Sequence, residues 1–364
     1  MRTPKAAPTN KDPATASKLK PTSLRDLAEY LGLSRTTVSL VINNSHAAHG
    51  ISEETCERVR KAAVKLKYKA NYFARMLNNK QSRMVGVLAP DLGGGYDSEI
   101  LTGIERLLLE RQYLYFVSSH HWDKAVIRQR LEVFAERGAE GIILINTPAE
   151  TGSSLPMVSI GGVTHDFQLT RITLDNARGI RLALEYLYKS GHREIAFFKG
   201  HTTSSDTEPR WTAIKQVVKS LNLRVRKEHV VQLKRLDHGL NPIREGYVAA
   251  EQLLSAEHPF TALLAFNDLS AIGAMHAFRD AGKRIPDDIS VIGFDDVQAA
   301  SIIQPSLTTI RQPLARMGML AASEVMARIE DAQSEPHNIL IEPELVIRQS
   351  SAPCPKAVKS SLHR

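Results

Sequence analysis

Arg35, Thr36, Ser39 and Asn43 share one face of the segment RTTVSLVIN, whose other face carries Val38, Val41 and Ile42. Short or forked hydrogen-bonding side chains at helical spacing are the chemistry with which a helix reads base edges and phosphates of duplex DNA. The same pattern also fits the polar side of an ordinary helical hairpin. No catalytic pattern competes with it. The chain has no Gly-rich phosphate loop of the Walker or dinucleotide type, no nucleophile elbow and no HExxH zinc pair. Its thirteen histidines are scattered; His120 and His121 are adjacent and expected to face opposite ways on a strand. Cys56 and Cys354 lie far apart and imply neither a disulfide framework nor a metal site, so a reducing cytoplasm is the default. A binding protein without metal or cofactor is expected, not an enzyme.

Local signals position the reading face. Leu24, Leu27, Ala28 and Leu31 form an apolar stripe, Gly32 can end that helix with positive φ, and Ser34 stands where an N-cap belongs. After the loop NSHAAHG, Ser52 caps a third helix with Glu53 and Glu54 near its positive end. Cys56, Val59, Ala63 and Leu66 make its expected inner face, closing a small three-helix core. Two short helices around a Gly-containing turn are the pattern of a helix-turn-helix. Charge supports the DNA reading independently. Residues 1–80 hold 15 Lys or Arg against 6 Asp or Glu, whereas the remaining 284 residues hold 32 against 33. All of the net +8 charge therefore accompanies the helix-turn-helix, as expected of a phosphate-binding module on a neutral body.

Residues 1–20, rich in Pro, Thr, Ala and Lys, read as a disordered basic arm with no apolar secretory core. No apolar run approaches the length of a membrane span, and no membrane partner is expected. From Arg83 onward, RMVGVLAP, YLYFVSSH and GIILIN are apolar runs of the kind buried in parallel sheets. Amphipathic helices are expected over 98–112 and 123–137, and in a second series over 209–220, 243–255 and 269–281. This alternation predicts an α/β body of two doubly wound parallel-sheet lobes, with a ligand cleft beyond the carboxyl ends of the strands.

The motifs LRDLAEYLGLSRTTVSLVIN, ARMLN, SGHREIAFFKG, AFNDLSAIGAM, RIPDDISVIGFDD and PSLTTIRQP occur in an order that resembles the LacI/GalR family of bacterial transcription regulators. The resemblance covers about residues 22–351. It implies a helix-turn-helix head over 21–68, a hinge helix or linker over 69–82, and two periplasmic-binding-protein-like lobes. The first lobe is expected over 83–190 plus 311–335 and the second over 191–310 plus 336–351, with a flexible basic tail at 352–364. It implies a dimer on a near-palindromic operator in double-stranded DNA, and a small-molecule effector, most simply a sugar, held between the lobes. By position, Arg35 and Thr36 open the recognition helix, and Arg35 suits either guanine or phosphate. Leu40 stands where the family commonly has a polar reader and can pack on a thymine methyl. Ser23, Ser34, Thr37, Ser39 and Asn43 are candidates for positioning contacts. Leu77 matches the leucine that wedges into the minor groove, with Asn71 and Ala74 beside it. Ala70 replaces the usual proline, which implies a looser hinge before DNA binds.

In the body, Asp175, Arg210, Asn267 and Asp295 match the family's ligand positions. A guanidinium with carboxylates and an amide suits a polyhydroxylated ring, although Asp295 and Asp268 also suit turn capping. Tyr96 and Trp122 stand at strand-to-helix loops, where each can stack on a ligand; core packing is an equal reading for Trp122. DLGGGYDSE replaces the family's usual first loop, and its three glycines permit mobility or close ligand approach. Gln312, beside Arg311 at a lobe crossover, suits either the sensing of closure or hinge packing. No leucine heptads follow residue 351, which favours a dimer over a coiled-coil tetramer. A transport protein for solutes would need an export signal and no basic head, the reverse of this sequence.

Overall fold

A computed structural model describes residues 23–43, 50–68, 81–148, 154–162, 169–236, 241–331 and 333–354. The chain divides into two compact units, Met1–Gln81 and Ser82–Arg364. The arm 1–20, most of the loop NSHAAHG, the segment containing Ala70, Asn71, Ala74 and Leu77, and residues 355–364 of the tail lie outside the described residues.

Three helices make the described part of the first unit: α1 (Leu24–Leu31), α2 (Arg35–Ile42) and α3 (Glu53–Lys65). Their ends are set by local chemistry. Ser23 and Asp26 form a reciprocal cap on α1, the Asp26 N–H donating to Ser23 Oγ at 3.2 Å and the Ser23 N–H to Asp26 Oδ2 at 2.7 Å. Gly32, at φ 67°, closes α1. Ser34 Oγ accepts from the Thr37 N–H at 3.0 Å and Ser52 Oγ from the Thr55 N–H at 3.4 Å. Leu27, Ala28, Val38, Val41, Cys56, Val59 and Ala62 are buried together. Ala62 takes the central position expected for Ala63, which is only half-buried, because the turn after Val59 brings residue 62 inward.

The second unit contains two six-stranded sheets. One has the order β11 (Asn338–Ile341), β5 (Thr170–Leu174), β4 (Met157–Ile160), β3 (Gly141–Ile145), β1 (Met84–Ala89), β2 (Leu114–Ser119), all parallel. The other has the order β12 (Glu344–Val346), β10 (Thr308–Arg311), β9 (Ser290–Asp295), β8 (Ala262–Leu264), β6 (Ile195–Lys199), β7 (Val230–Gln232). Only β12 runs antiparallel. Central strands such as β3 are buried along their whole length, as covered parallel strands must be.

The lobe boundaries differ from the expected ones. Helix α6 (Asn176–Lys189) packs on α7 (Thr207–Ser220), β10 and β12, so it belongs to the second lobe rather than the first, and the chain crosses after Leu174. Gly179 lets α6 lie close on Phe294 and Ile310, where a Cβ would stand 3.1 and 3.2 Å from the two side chains, tighter than ordinary contact. Helix α11 (Leu314–Glu330) returns to the first lobe and packs on α4 (Tyr96–Glu110). Strand β11, expected in the second lobe, pairs with β5 and covers that edge of the first sheet. Residues 352–354, expected as free tail, are tied down: the Ala352 N–H donates to Ser290 Oγ at 3.1 Å and the Cys354 N–H to the Ser190 carbonyl at 2.7 Å.

Where α4 crosses α11, the two backbones touch at Gly103 and Gly318; a Cβ on Gly318 would strike the Ile100 carbonyl, and one on Gly103 the Ala315 carbonyl. Gly318→Ala is therefore expected to cost about 1–3 kcal/mol, read as a lower Tm in thermal unfolding; an unchanged Tm would show that the crossing can spread.

Candidate functional site

On the head, Ser34, Arg35 and Thr36 are exposed, and Thr37, Ser39, Leu40 and Asn43 are half-buried on α2. Two serines are already in use as caps, Ser23 on α1 and Ser34 on α2. Asn43 Nδ2 donates to Ser39 Oγ at 3.2 Å, while its Oδ1 has no protein partner. Arg35 has no ion pair among the described residues, so its guanidinium stands free at the start of the helix. This surface is polar, basic and one helix wide.

In the body, the carboxyl ends of the two sheets face each other across a cavity of about 330 Å³. From the first lobe come Asp91, Gly93 and Gly94 of the loop after β1, Tyr96 and Asp97 of the first turn of α4, Trp122, and Asn146 after β3. The second lobe supplies His201, Asp206 and Arg210, Asn241 at the start of α8 (Pro242–Leu254), Phe266, Asn267, and Asp295 at the end of β9. Parallel strands deliver all of these to one end, where successive loops converge.

Tyr96, Trp122, Arg210, Asn267 and Asp295 line the cavity as expected; Asp175 and Gln312 do not. Asp175 instead caps α6, its Oδ1 accepting from the Arg178 N–H at 2.9 Å. The next residue makes the contact to the cavity wall: Asn176 Oδ1 accepts from Arg210 Nε at 2.9 Å, and its Nδ2 donates to Asp206 Oδ1 at 3.1 Å. Gln312 stands behind the cavity wall, its Nε2 donating to Asp295 Oδ1 at 2.7 Å. Sequence reasoning passed over the lining residues Asp91, Asp97, Asn146, His201, Asp206 and Asn241. Asp91 and Asp97 flank the Gly-rich loop that was singled out, which was the available signal.

Arg210 is 5% exposed and closely held. Its Nη1 donates to the Phe266 carbonyl at 2.7 Å, its Nη2 lies 3.6 Å from Asp206 Oδ2, and its guanidinium stacks 3.8 Å from the Phe294 ring centre. Asp295 and Asp296 have φ of 120° and 62°, sparsely populated backbone for non-glycine residues that costs about 1–3 kcal/mol each. Their side chains hold the turn. Asp295 accepts from Gln312, and Asp296 pairs with Arg311 at 2.7 Å and Arg348 at 2.6 Å.

Burial pushes Asp295 up to about 7, against the opposing pull of Arg210 and Gln312. Burial also pushes Asp97 up to about 7, helped by repulsion from Asp91 and Asp295. Tyr96 is raised well above its ordinary value by desolvation and by Asp206, Asp295 and Asp97. On the first lobe, His121 and Trp122 both have positive φ (47° and 64°), and His120 pins that turn. His120 Nδ1 accepts from the Trp122 N–H at 3.0 Å, which places its proton on Nε2, 3.0 Å from Thr147 Oγ1. Burial lowers His120 to about 4 and keeps it neutral. His120 and His121 thus form a turn and not a strand pair, with one ring wholly inside.

Residues 23–71 match the model described as bacterial regulatory proteins, lacI family, and residues 184–351 match a periplasmic binding protein-like domain. The HTH-type transcriptional repressor PurR of Pectobacterium atrosepticum is 32% identical over 344 residues, spanning 92% of this chain and 98% of that protein. The chain belongs to the LacI family. It is a sequence-specific DNA-binding transcription regulator with a ligand-binding body. The lac repressor dimer bound to operator and the anti-inducer ONPF superposes with a TM-score of 0.80 at 25% identity, covering 92% of this chain and 100% of that one. The CelR–cellobiose complex shares the fold at 24% identity, with a TM-score of 0.68 over 90% and 99% of the two chains.

The buried carboxyls of this LacI-family body make its stability depend on pH. Folding raises Asp97 and Asp295 from ordinary carboxylate values to about 7. Their favourable contribution is complete below the unfolded value and lost as pH rises through about 7. The Tm of the unliganded chain is expected to fall as pH rises from about 4.5 to about 7.5, where the unfolded carboxyls are ionised and the folded ones still hold protons, to level off above that, and to fall less in Asp97→Asn. Equal slopes in the two proteins would show that Asp97 titrates normally.

Proposed function

We propose that the chain is a dimeric repressor that binds a near-palindromic operator in double-stranded DNA and senses a small polyhydroxylated molecule between its lobes. The cavity carries this reading. Its lining is drawn from both lobes and combines carboxylates, three asparagines, a histidine and aromatic faces, a set suited to hydroxyl-bearing rings. Among the described residues, three hydrogen bonds cross the cleft: the Gly162 N–H to Ser205 Oγ at 3.0 Å, the Gln298 N–H to Glu99 Oε1 at 3.1 Å, and Arg235 Nη1 to the His121 carbonyl at 3.5 Å. A ligand that touches both lobes biases the angle these bonds set. In a dimer that angle governs the separation of the two heads and so the affinity for DNA. Release by the ligand is the simplest sign, and co-repression uses the same parts.

On DNA, Arg35, Thr36 and Leu40 would read bases, with Ser23, Ser34, Thr37, Ser39 and Asn43 on the backbone and Leu77, Asn71 and Ala74 at the minor groove. A site of action on nucleoid DNA in the cytoplasm follows from this reading. No helix among the described residues is long and apolar enough to cross a membrane. A binding role and not a catalytic one is supported by relatives that are themselves transcription regulators.

Selection of bound duplexes from a random pool by the purified chain is expected to yield a palindrome, and affinity for it should fall steeply as salt rises. A pool with no preferred sequence, or a flat salt profile, would refute the operator reading. Arg210→Ala should retain unliganded operator binding while losing the effector response by about tenfold or more. A normal titration of effector into the preformed Arg210→Ala–DNA complex would remove Arg210 from ligand recognition.

A further inference from the structure

The cavity is charged in one sense. Asp91, Asp97, Asp206 and Asp295 line it, and Arg210 is the one arginine or lysine among the described lining residues. Arg210 is also largely spent. Asn176, the Phe266 carbonyl and Asp206 take its N–H groups, and the rings of Phe294 and Phe266 lie 3.8 and 4.8 Å from it. His201 is occupied too, its Nε2 lying 2.9 Å from Glu245 Oε2. A carboxylate or phosphate on the ligand would therefore meet carboxylates with no free cation among the described lining residues to receive it.

Asp97 is the informative member. It is 8% exposed, and its buried Oδ1 has no hydrogen-bond partner. A buried carboxylate oxygen left without a donor is costly, and a ligand donor relieves that cost. The groups that face it are Asp91 from the loop after β1 and Asp295 from the end of β9, with Asp206, Arg210 and His201 farther across the cleft and Tyr96 and Glu99 on its own helix. Burial, with repulsion from Asp91 and Asp295 on Asp97 and from Asp206 and Glu99 on Asp295, raises both carboxyls, a cost that a bound cation would relieve. The cavity also has aromatic faces at Tyr96, Trp122 and Phe266. One cation already lies against this wall from outside, the Arg235 guanidinium 5.5 Å from the Trp122 ring centre.

We propose that the effector is a polyhydroxylated amine of the amino-sugar class, its ammonium seated between Asp97, Asp91 and Asp295 and its hydroxyls on Asn146, Asn267 and Asp206. This rests on the effector reading above and sharpens it. Neutral sugars satisfy the asparagines and leave the Asp97 oxygen without a charged donor; acidic sugars are repelled.

The test uses the full chain and three matched sets of ligands. The amines are glucosamine, galactosamine and glucamine; the neutral set is glucose, galactose and glucitol; the acids are glucuronate and galacturonate. Binding is measured by calorimetry and by release from the selected operator. An amine is expected to bind about tenfold or more tightly than its hydroxyl counterpart near pH 8, with no binding of the acids. For glucamine, whose alkylammonium ionises near the Lys value of about 10, this advantage should shrink toward about pH 6, where Asp97 and Asp295 take up protons. Asp97→Asn should bring amine and hydroxyl members within about threefold of each other. A neutral or acidic member that binds as tightly as its amine and releases DNA would overturn the amine assignment while leaving the effector reading standing. A panel in which no member binds or alters the DNA complex would overturn both.

Discussion

One buried guanidinium joins four separate pieces of the body. Arg210, on the first turns of α7, reaches Asn176 just past the lobe crossover, the carbonyl of Phe266 at the end of β8, Asp206 before its own helix, and the Phe294 ring on β9. A charge so enclosed is tolerable only when paired and hydrogen-bonded, so each partner must stay in place. The second-lobe wall of the cavity is therefore one connected unit, and the crossover enters the cleft at a fixed point. Removing the charge would leave Asp206 unpaired and the Phe266 carbonyl without that donor.

The same logic extends around the cavity in a second ring of residues that touch no ligand. Gln312 holds Asp295 in an uncommon backbone conformation, and Arg311 and Arg348 hold Asp296 beside it. His120 holds the Trp122 turn from inside the first lobe. In each case a side chain that contacts the turn from behind sustains uncommon backbone beside a residue of the cavity wall. The cross-lobe bonds at Ser205, Glu99 and Arg235 are fewer and nearer solvent, which is the arrangement expected of a joint that changes angle while its two halves keep their shape.

Membership of the LacI family fixes the general plan of head and effector body, while the lining residues individualise it. The first-lobe loop DLGGGYDSE contributes several of them. Gly95, at φ 79°, begins α4, and the next two residues turn an aromatic ring and a carboxylate toward the cavity. Its glycines thus set Tyr96 and Asp97 at the cavity wall. Four carboxylates around one pinned guanidinium give that wall its acidic character.

Several features were written in local sequence: the caps Ser23, Ser34 and Ser52, the stop at Gly32, the alternation of strand and helix, and the basic head on a neutral body. Each depends on residues within a few positions of one another, or on simple totals, so no tertiary contact is needed to read it. Five of seven expected effector residues also line the cavity, because strand ends carry them there in any such fold. Other features depended on long-range packing. Helix α6 joined the second lobe because Gly179 meets Phe294 and Ile310, and β11 returned to cover the edge of β5. Asp175 was drawn away to cap its helix and Asn176 took the Arg210 contact, a swap between neighbours that helix phase decides. The charge of the site lay furthest from the sequence. Whether a guanidinium is free or spent, and whether a carboxylate oxygen has a donor, is set by groups brought from distant segments into one low-dielectric space.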